Sequence, residues 1–345
     1  MQYVGIDYAK LRSHFTVTTP EGRVMKRGYV ANTPEALATF MDALPPDQRA
    51  VVIEACRNWT VIHDLIEPYA QAITLAHPLK VKAIASARIK TDAIDSRTLT
   101  DLLRADLIPA AHIRPPAVRA RQHVLRQRAF CTKLRTSVRN QIHTLLDRQA
   151  PAGRAAYHAF KDVFTKAGRA WMQTIDLPEA ERMLLTRYLA VEQTLTEQRA
   201  ATTAEVTAWV TEDRAMQLVD SIPGIGAILA ALIAVEIDGI RRFGRAGQLA
   251  SYAGLVPSTH SSGTVTRHGP ITKQGNRWLR WALIEAVWPA IQCNAALRRF
   301  YERIKARRGA NPAKVATARK LCALVFQVLT RQTPFEVTRR VVHAT

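Results

Sequence analysis

The chain has 345 residues, 48% of them apolar, and a formal net charge of +21. This length suffices for two or three domains with their own cores, whereas no apolar run approaches the roughly 20 residues of a membrane-spanning helix. The N-terminus lacks the basic and apolar regions of a signal peptide, and the four cysteines show no metal-binding or disulfide-like spacing. We therefore expect a folded, mainly helical cytoplasmic protein with reduced thiols.

The excess positive charge is mostly arginine, the side chain that binds phosphate groups in bidentate geometry. Nucleic acid is therefore the first partner to consider, and an anionic membrane surface is the second. The pattern of elements divides the chain into three regions, 1–110, 111–215 and 216–345.

Strand and helix patterns alternate in the first region and predict an α/β domain. Short apolar or alternating runs bounded by turns indicate strands at 3–7, 14–19, 24–30, 50–54 and 72–75. Helical patterns lie between and after them, at about 34–44, 61–69 and 90–99.

Four acidic residues mark the ends of these elements. Asp7 and Glu54 each end an apolar strand, at the sheet edge where open α/β sheets place their sites. Asp92 and Asp95 lie three residues apart, so that a helix would project both carboxylates from one face. Together the four carboxylates predict a site for one or two Mg²⁺ ions, which can assist phosphoryl transfer. For each acid alone, a strand-end, capping or solvent-exposed role is the alternative.

The middle region contains two long helical patterns. The first, from Ala117 to about Gln149, has Asp147 as its only acid. Because an exposed helix face normally mixes both signs of charge, this pattern predicts phosphate contacts. The residues assigned to nucleic-acid binding here are Arg119, Arg121, Arg126, Arg128, Lys133, Arg135 and Arg139. The second pattern runs from Glu179 to about Glu212, and the two helices predict either an antiparallel arm or an ordinary bundle.

Two stretches of the C-terminal region point to further phosphate contacts. Ser221–Gly226 and the apolar run after it resemble a helix-hairpin-helix element, in which Gly224 and Gly226 allow a tight turn that exposes amides to phosphate. A purely structural turn is the alternative. The polar, glycine-broken segment 257–275 predicts a long functional loop. Basic residues in or beside this segment that could neutralise charge on a phosphate are Arg267, Lys273, Arg277 and Arg280.

Several of these stretches resemble known families. The strand order and the acid series are similar to the RNase H-like fold of the RuvC Holliday-junction resolvases. Val-Gly-Ile-Asp-Tyr-Ala-Lys, Val-Ile-Glu-Ala and Lys-Thr-Asp-Ala-Ile-Asp resemble the DEDD-type insertion-sequence transposases, which include Piv-type invertases and bridge-RNA-guided recombinases. Gly-Leu-Val-Pro, Ser-Ser-Gly, Ile-Thr-Lys-Gln-Gly-Asn and Trp-Leu-Arg resemble the C-terminal transposase domain of that family. One departure is Cys56-Arg57-Asn58-Trp59, where the family usually has a Thr-Gly pair.

The resemblance implies a DNA recombinase that forms a covalent serine–phosphate intermediate. The family's nucleophile precedes the glycine of the Ser-Gly pair, which is Ser262 here, with Ser261 as the neighbouring alternative. The resemblance also implies that Mg²⁺ is held by Asp7, Glu54, Asp92 and Asp95. Such an ion would help to activate the serine, because a serine hydroxyl alone is a weak nucleophile.

The implied partners are double-stranded DNA of the element ends and target, a non-coding bridge RNA, and further copies of the chain in a dimer or tetramer. In that assembly the acidic domain of one protomer would meet the serine domain of another. Two other classes remain open: a metal-only RuvC-like nuclease that uses water, and a non-catalytic architectural DNA-binding protein.

Overall fold

The chain divides into two compact units, residues 1–114 and 115–345. The computed structural model describes residues 1–45, 49–85, 91–149, 151–262 and 265–336, but not the side chains of 151–152, 260–266 and 268. Residues 111–215, which the sequence predicts as a separate region, fall mainly in the second unit. Among the helices in these ranges, none is long and apolar enough to cross a membrane.

Six strands form one sheet in the first unit. They are β1 (Gln2–Asp7), β2 (Arg12–Thr18), β3 (Val24–Ala31), β4 (Arg49–Glu54), β5 (Ala72–Ala76) and β6 (Ala110–Ala111). Their order across the sheet is β3-β2-β1-β4-β5-β6. β4 and β5 run parallel to β1, whereas β2, β3 and β6 run antiparallel to their neighbours. This mixed sheet confirms the predicted α/β class and is consistent with an RNase H-like domain.

Helices cover both faces of this sheet. They are α1 (Pro34–Asp42), α2 (Trp59–Ile66), α3 (Pro78–Ile84) and α4 (Asp92–Arg104). Val4, Ile6 and Ile53 belong to the apolar cluster that includes buried residues of α1 and α2. Val52 instead packs with residues of α3 and α4. Because successive strand side chains point to opposite faces, Asp7 and Glu54 lie on the α4 side of the sheet.

The second unit is mainly helical and contains one strand hairpin. Its elements are α5 (Pro116–Asp147), α6 (Pro151–His158), α7 (Lys166–Thr174), α8 (Glu179–Glu212), α9 (Arg214–Asp220), α10 (Ala227–Ile237), α11 (Ala246–Tyr252), β7 (Pro257–Ser262), β8 (Val265–Ile271), α12 (Arg277–Glu285), α13 (Val287–Cys293), α14 (Ala295–Arg308) and α15 (Ala310–Arg331). Hydrogen bonds from Arg121 to Asp213 and from Gln149 to Glu181 show that α5 and α8 pair antiparallel. The main core lies among α9 to α15 and the ends of α5 and α8 that reach them.

The structure differs from the sequence prediction at residues 257–275, which were expected to form a loop. Residues 257–262 and 265–271 instead pair as an antiparallel hairpin. Thr259, Val265 and Thr266 have the β-branched side chains that favour strands. Gly269 and Pro270 interrupt this pattern in the sequence and favour an irregular segment. The pairing places Ser261 and Ser262 at the end of β7.

Candidate active site

The first turn of α4 is positioned by close contact between that helix and the sheet. A Cβ atom at Gly5 would stand less than 3.0 Å from the carbonyl oxygen of Ser96 and from Oγ1 of Thr100. The buried Ser96 hydroxyl is 2.8 Å from Nδ1 of His14 and 2.7 Å from Oγ1 of Thr16. Because Gly5 has no side chain, α4 can lie close to β1. The polar contacts of Ser96 with His14 and Thr16 hold the helix against β2.

The helix begins near the end of β1 that carries the first predicted acid. Ser96 contacts His14, and His14 pairs with Asp7 across the β1–β2 ladder. Asp92 lies one turn closer to the helix start than Ser96, and Asp95 lies between them. The fold thus brings both helix acids to the region where β1 ends.

Tyr29 of β3 fixes the position of Asp92 more directly. It pairs with His14 in the sheet register, and its hydroxyl donates a hydrogen bond to Oδ2 of Asp92 at 2.9 Å. This bond raises the pKa of the Tyr29 hydroxyl, and the charge of Asp7 acts in the same direction. Asp7, His14 and Tyr29 therefore form a row across three strands, and Asp92 is bound at one end of that row.

Asp7 and Glu54 end two neighbouring parallel strands. Ile6 pairs with Ile53, so that the two acids directly follow paired residues. Both influence Cys56: burial raises the pKa of its thiol, and the charges of Glu54 and Asp7 raise it further. The two strand-end acids therefore share one neighbourhood, next to the segment that departs from the family pattern.

The four acids occupy one region but are not gathered tightly. In the part of the chain that the structure describes, the one group of three His, Cys, Asp or Glu ligand atoms within 4.8 Å of one another belongs to His63, Asp64 and Glu67. His63 is buried, and its Nδ1 lies 2.8 Å from Oδ1 of the exposed Asp64. This group lies on and just after α2, on the sheet face opposite α4. The predicted carboxylates nevertheless fit Mg²⁺ in donor chemistry, because hard cations prefer carboxylate oxygen.

In the second unit, two of the arginines predicted to bind nucleic acid donate hydrogen bonds to a buried acid. Arg135 and Arg139 donate to Oε1 of Glu192 at 2.9 and 2.7 Å, and Arg169 donates to its other oxygen. The Glu192 side chain is 0% exposed. Burial raises its pKa, but the hydrogen bonds and charges of Arg169 and Arg139 outweigh that effect and lower the pKa to about 2.

Three more of these arginines also have partners within the unit. The bonds run from Arg121 to Asp213 at 2.9 Å, from Arg126 to Glu236 at 3.2 Å and from Arg128 to Thr203 at 2.9 Å. Sequence reasoning counted only the acids of α5 itself and missed those supplied by other elements. Among the basic residues assigned on this helix, Lys133 is exposed and Arg119 is half-buried.

The two glycines of the predicted helix-hairpin-helix element have different surroundings. They lie in the turn 221–226, between α9 and α10. Gly224 has a φ of +87°, and a Cβ there would collide with the backbone of Ala290 in α13. Gly226 immediately precedes α10, whose first turn receives no side-chain cap from it. A packing role thus explains Gly224, while the amides after Gly226 stay candidates for phosphate binding.

Ser262, the predicted nucleophile, is the last residue of β7 and pairs with Val265, while Ser261 pairs with Thr266. The side chains of both serines, and residues 263 and 264 as a whole, lie outside the described part of the chain. The base of the hairpin is described, and there the amide of Thr272 donates to the carbonyl oxygen of Val256 at 2.9 Å.

Arg280 forms hydrogen bonds to the backbone on both sides of the hairpin base. Its Nη1 donates to the carbonyl oxygens of Ala253 and Lys273 at 3.0 and 3.1 Å, one on each side of the hairpin. Burial lowers the pKa of this guanidinium. Arg267, Lys273 and Arg277 are exposed. The basic residues around the hairpin therefore include one with a bracing contact and three that face solvent.

Comparison with known proteins finds two transposase family models that match different parts of the chain. The model described as the IS116/IS110/IS902 transposase family matches residues 216–302, and the model for DEDD transposases of the IS110 type matches residues 4–151. A probable family 20 transposase of Pseudomonas aeruginosa is 28% identical over 302 residues, 85% of this chain and 87% of that protein. The transposase for insertion sequence element IS1111A of Coxiella burnetii is 30% identical over 61% of this chain and 58% of its own. A pilin gene-inverting protein of Moraxella bovis is 32% identical over 34% of this chain and 38% of its own.

Proposed function

The chain belongs to the DEDD-type insertion-sequence transposases of the IS110 and IS116 family, and we propose that Ser262 is its nucleophile. Enzymes of this family cleave and rejoin DNA. The observation that carries the proposal is the position of Ser262 at the end of β7, within the matched transposase region. The four acids fall within the other matched region.

The chemistry conserves one phosphodiester bond at each step. Oγ of Ser262 attacks phosphorus, the bond from phosphorus to one DNA oxygen breaks, and that oxygen leaves with the proton lost by the serine. A hydroxyl of the second DNA strand then attacks the same phosphorus, and the serine oxygen leaves and regains a proton. No water is consumed, so that the covalent intermediate retains the energy of the original bond for rejoining.

Asp7, Glu54, Asp92 and Asp95 would hold Mg²⁺. When bound, such a cation neutralises charge on the phosphate and lowers the pKa of an attacking hydroxyl. The contribution of the chain is placement: β1 and β4 present two acids in parallel register, and the first turn of α4 adds two more. Tyr29 restrains one of these carboxylates through its hydrogen bond.

The exposed basic residues supply candidate contacts to the nucleic-acid backbone. They comprise Lys133, Arg267, Lys273 and Arg277, with the amides after Gly226 as a further contact of helix-hairpin-helix type. A net charge of +21 suits binding to more than one polyanion. We extend the proposal to a bridge RNA that selects donor and target by base pairing, and to a dimer or tetramer on DNA.

The test uses full-length protein, purified with the nucleic acid it carries, and a suicide duplex containing one end of its element and flanking DNA. We expect a protein–DNA adduct resistant to denaturant that persists in Ser261→Ala and disappears in Ser262→Ala. Nicked duplex without any adduct would contradict the proposal and favour a metal-only nuclease. Sequencing the RNA that co-purifies tests guidance, which predicts a species complementary to both donor and target.

The role of the acids needs a separate comparison. We expect Asp92→Asn and Asp95→Asn to reduce adduct formation by at least tenfold while leaving the affinity for the duplex unchanged. Asp42→Asn, which alters an exposed acid at the end of α1, is the matched control and should retain full activity. Equal activity in all three variants would favour an architectural role for this unit.

A further inference from the structure

Glu236 in α10 is a buried carboxylate that accepts side-chain hydrogen bonds from three residues in the described part of the chain. Its side chain is 1% exposed. Nε2 of Gln122 and Nδ2 of Asn276 donate to Oε2 at 3.0 and 2.7 Å, and Nη2 of Arg126 donates to Oε1 at 3.2 Å. Gln122 and Arg126 belong to α5, whereas Asn276 caps α12. One carboxylate therefore joins three helices of the second unit.

Both side-chain polar atoms of Asn276 and its backbone amide form hydrogen bonds. Its Oδ1 accepts hydrogen bonds from the amides of Trp278 and Leu279, both at 3.0 Å, and thereby caps α12. The backbone amide of Asn276 donates to the carbonyl oxygen of Tyr252 at 2.7 Å, and the side-chain Nδ2 lies 3.2 Å from the Tyr252 hydroxyl. Because each of its side-chain polar atoms is engaged, the bond to Glu236 also sets the position of Tyr252.

Tyr252 and Asn276 are the points where the chain enters and leaves the serine hairpin. Tyr252 ends α11 shortly before β7, and Asn276 follows β8 after a short turn. A Cβ at Gly275 would stand less than 3.0 Å from the Tyr252 carbonyl oxygen, so that the segments entering and leaving the hairpin meet closely here. The hairpin is thus anchored to α10 through Asn276.

We propose that Glu236 is a positioning residue that holds the serine hairpin in one orientation relative to α5, α10 and α12. The proposal rests on the nucleophilic role of Ser262 given above. A tilt of the hairpin that pulled Asn276 away would leave a buried carboxylate with a lost partner, which is energetically unfavourable. Misplacement of a reacting group by about 1 Å can slow a reaction by roughly 100-fold, so that this anchor matters for the rate of attack.

Glu236→Gln tests the proposal, because it keeps the side-chain volume but replaces one of the two acceptor oxygens with an NH2 donor, so that the donors from α5 and α12 can no longer all be satisfied. With full-length protein and the suicide duplex, we expect the rate constant of adduct formation at saturating duplex to fall at least tenfold. The duplex concentration that gives half the maximal rate should change less than twofold. Glu285→Gln, at an exposed acid of α12, should leave both values unchanged.

A paired exchange separates positioning from general stability. Combining Glu236→Gln with Asn276→Asp restores a donor opposite an acceptor, and aspartate also caps helices well. We expect the double variant to recover the rate to within threefold of the original chain. No recovery, or loss of duplex binding in parallel with the rate, would overturn the proposal. If Glu236→Gln does not fold, Tyr252→Phe takes its place and should slow adduct formation at unchanged half-saturation; an unchanged rate would overturn the proposal.

Ser262→Ala distinguishes failure of this inference from failure of the proposed function. An adduct that survives Ser262→Ala removes the basis of both. An adduct that depends on Ser262 but forms at the original rate in Glu236→Gln overturns the positioning role alone.

Discussion

The carbonyl oxygen of Ser96 in α4 lies directly over Gly5 in β1, with no room between them for a side chain. The sequence Val-Gly-Ile-Asp therefore has a structural reason for its glycine, two residues before the first acid. The close approach allows the Ser96 hydroxyl to reach His14 and Thr16, and it brings the start of α4 to the end of β1. The placement of Asp92 and Asp95 near Asp7 depends on this contact.

Gly5→Ala should therefore push α4 away from the sheet. We expect the first unit to lose about 1–3 kcal/mol of stability, the range typical of overpacked cores, and adduct formation to fall with it. Urea denaturation followed by circular dichroism measures the first effect. Gly247→Ala is the control, because a Cβ there meets nothing within 4 Å. Equal stability in the two variants would show that α4 adjusts without strain.

Glu192→Gln should destabilise the second unit. The change removes the negative charge that Arg135, Arg139 and Arg169 surround. Loss of one partner of a buried ion pair lowers the free energy of unfolding by roughly 3–5 kcal/mol. We expect a clearly lower urea midpoint than for Glu205→Gln, which alters an exposed acid on the same helix. Matching midpoints would mean that the arginines find other partners.

The stabilisation from Glu192 should also depend on pH. Its pKa is about 2 in the folded chain against an ordinary value of 4.5. Because the folded value is the lower one, the stabilisation is complete above about pH 4.5 and is lost as the pH falls from there towards 2. The difference in unfolding free energy between the original chain and Glu192→Gln should shrink over that interval. A difference that stays constant would contradict this assignment.

Tyr29→Phe should weaken cation binding with little effect on the fold. The exposed Tyr29 hydroxyl holds Oδ2 of Asp92, and loss of a group that orients a metal ligand typically lowers affinity by about 10–100-fold. Titration with Mg²⁺ by calorimetry measures this change. Tyr3→Phe, at the opposite end of β1 from Asp7, provides the control. If both variants bind Mg²⁺ as the original chain does, Asp92 does not need Tyr29.

Most elements of the first unit follow from its sequence. The apolar strands ending at Asp7 and Glu54, and the helical pattern that carries Asp92 and Asp95, are local signals that the fold retains. The row of Asp7, His14 and Tyr29 is not visible in the sequence, because it depends on register across three strands. The contact between Gly5 and Ser96 is hidden for the same reason, since the two residues lie 91 positions apart.

The second unit was harder to predict because its charges pair over long distances. Arg135 and Arg139 looked open to phosphate when only the acids of α5 were considered, yet Glu192 lies in α8. Glu236 has no local signal at all, because it stands in an apolar helix and its partners come from α5 and α12. The sequence of 257–262 and 265–271 predicts a loop, because its glycine and proline residues favour irregular structure more strongly than its β-branched residues favour strands.

The identity of the residue that becomes covalently linked to DNA tests the central claim most directly. After adduct formation, trypsin cleavage should release residues 246–267 carrying a nucleotide fragment, and tandem mass spectrometry locates the linked side chain within that peptide. We predict the nucleotide on Oγ of Ser262. A link to Ser261 would move the nucleophile by one residue, and a link to any residue outside the hairpin, or no link at all, would contradict the proposed mechanism.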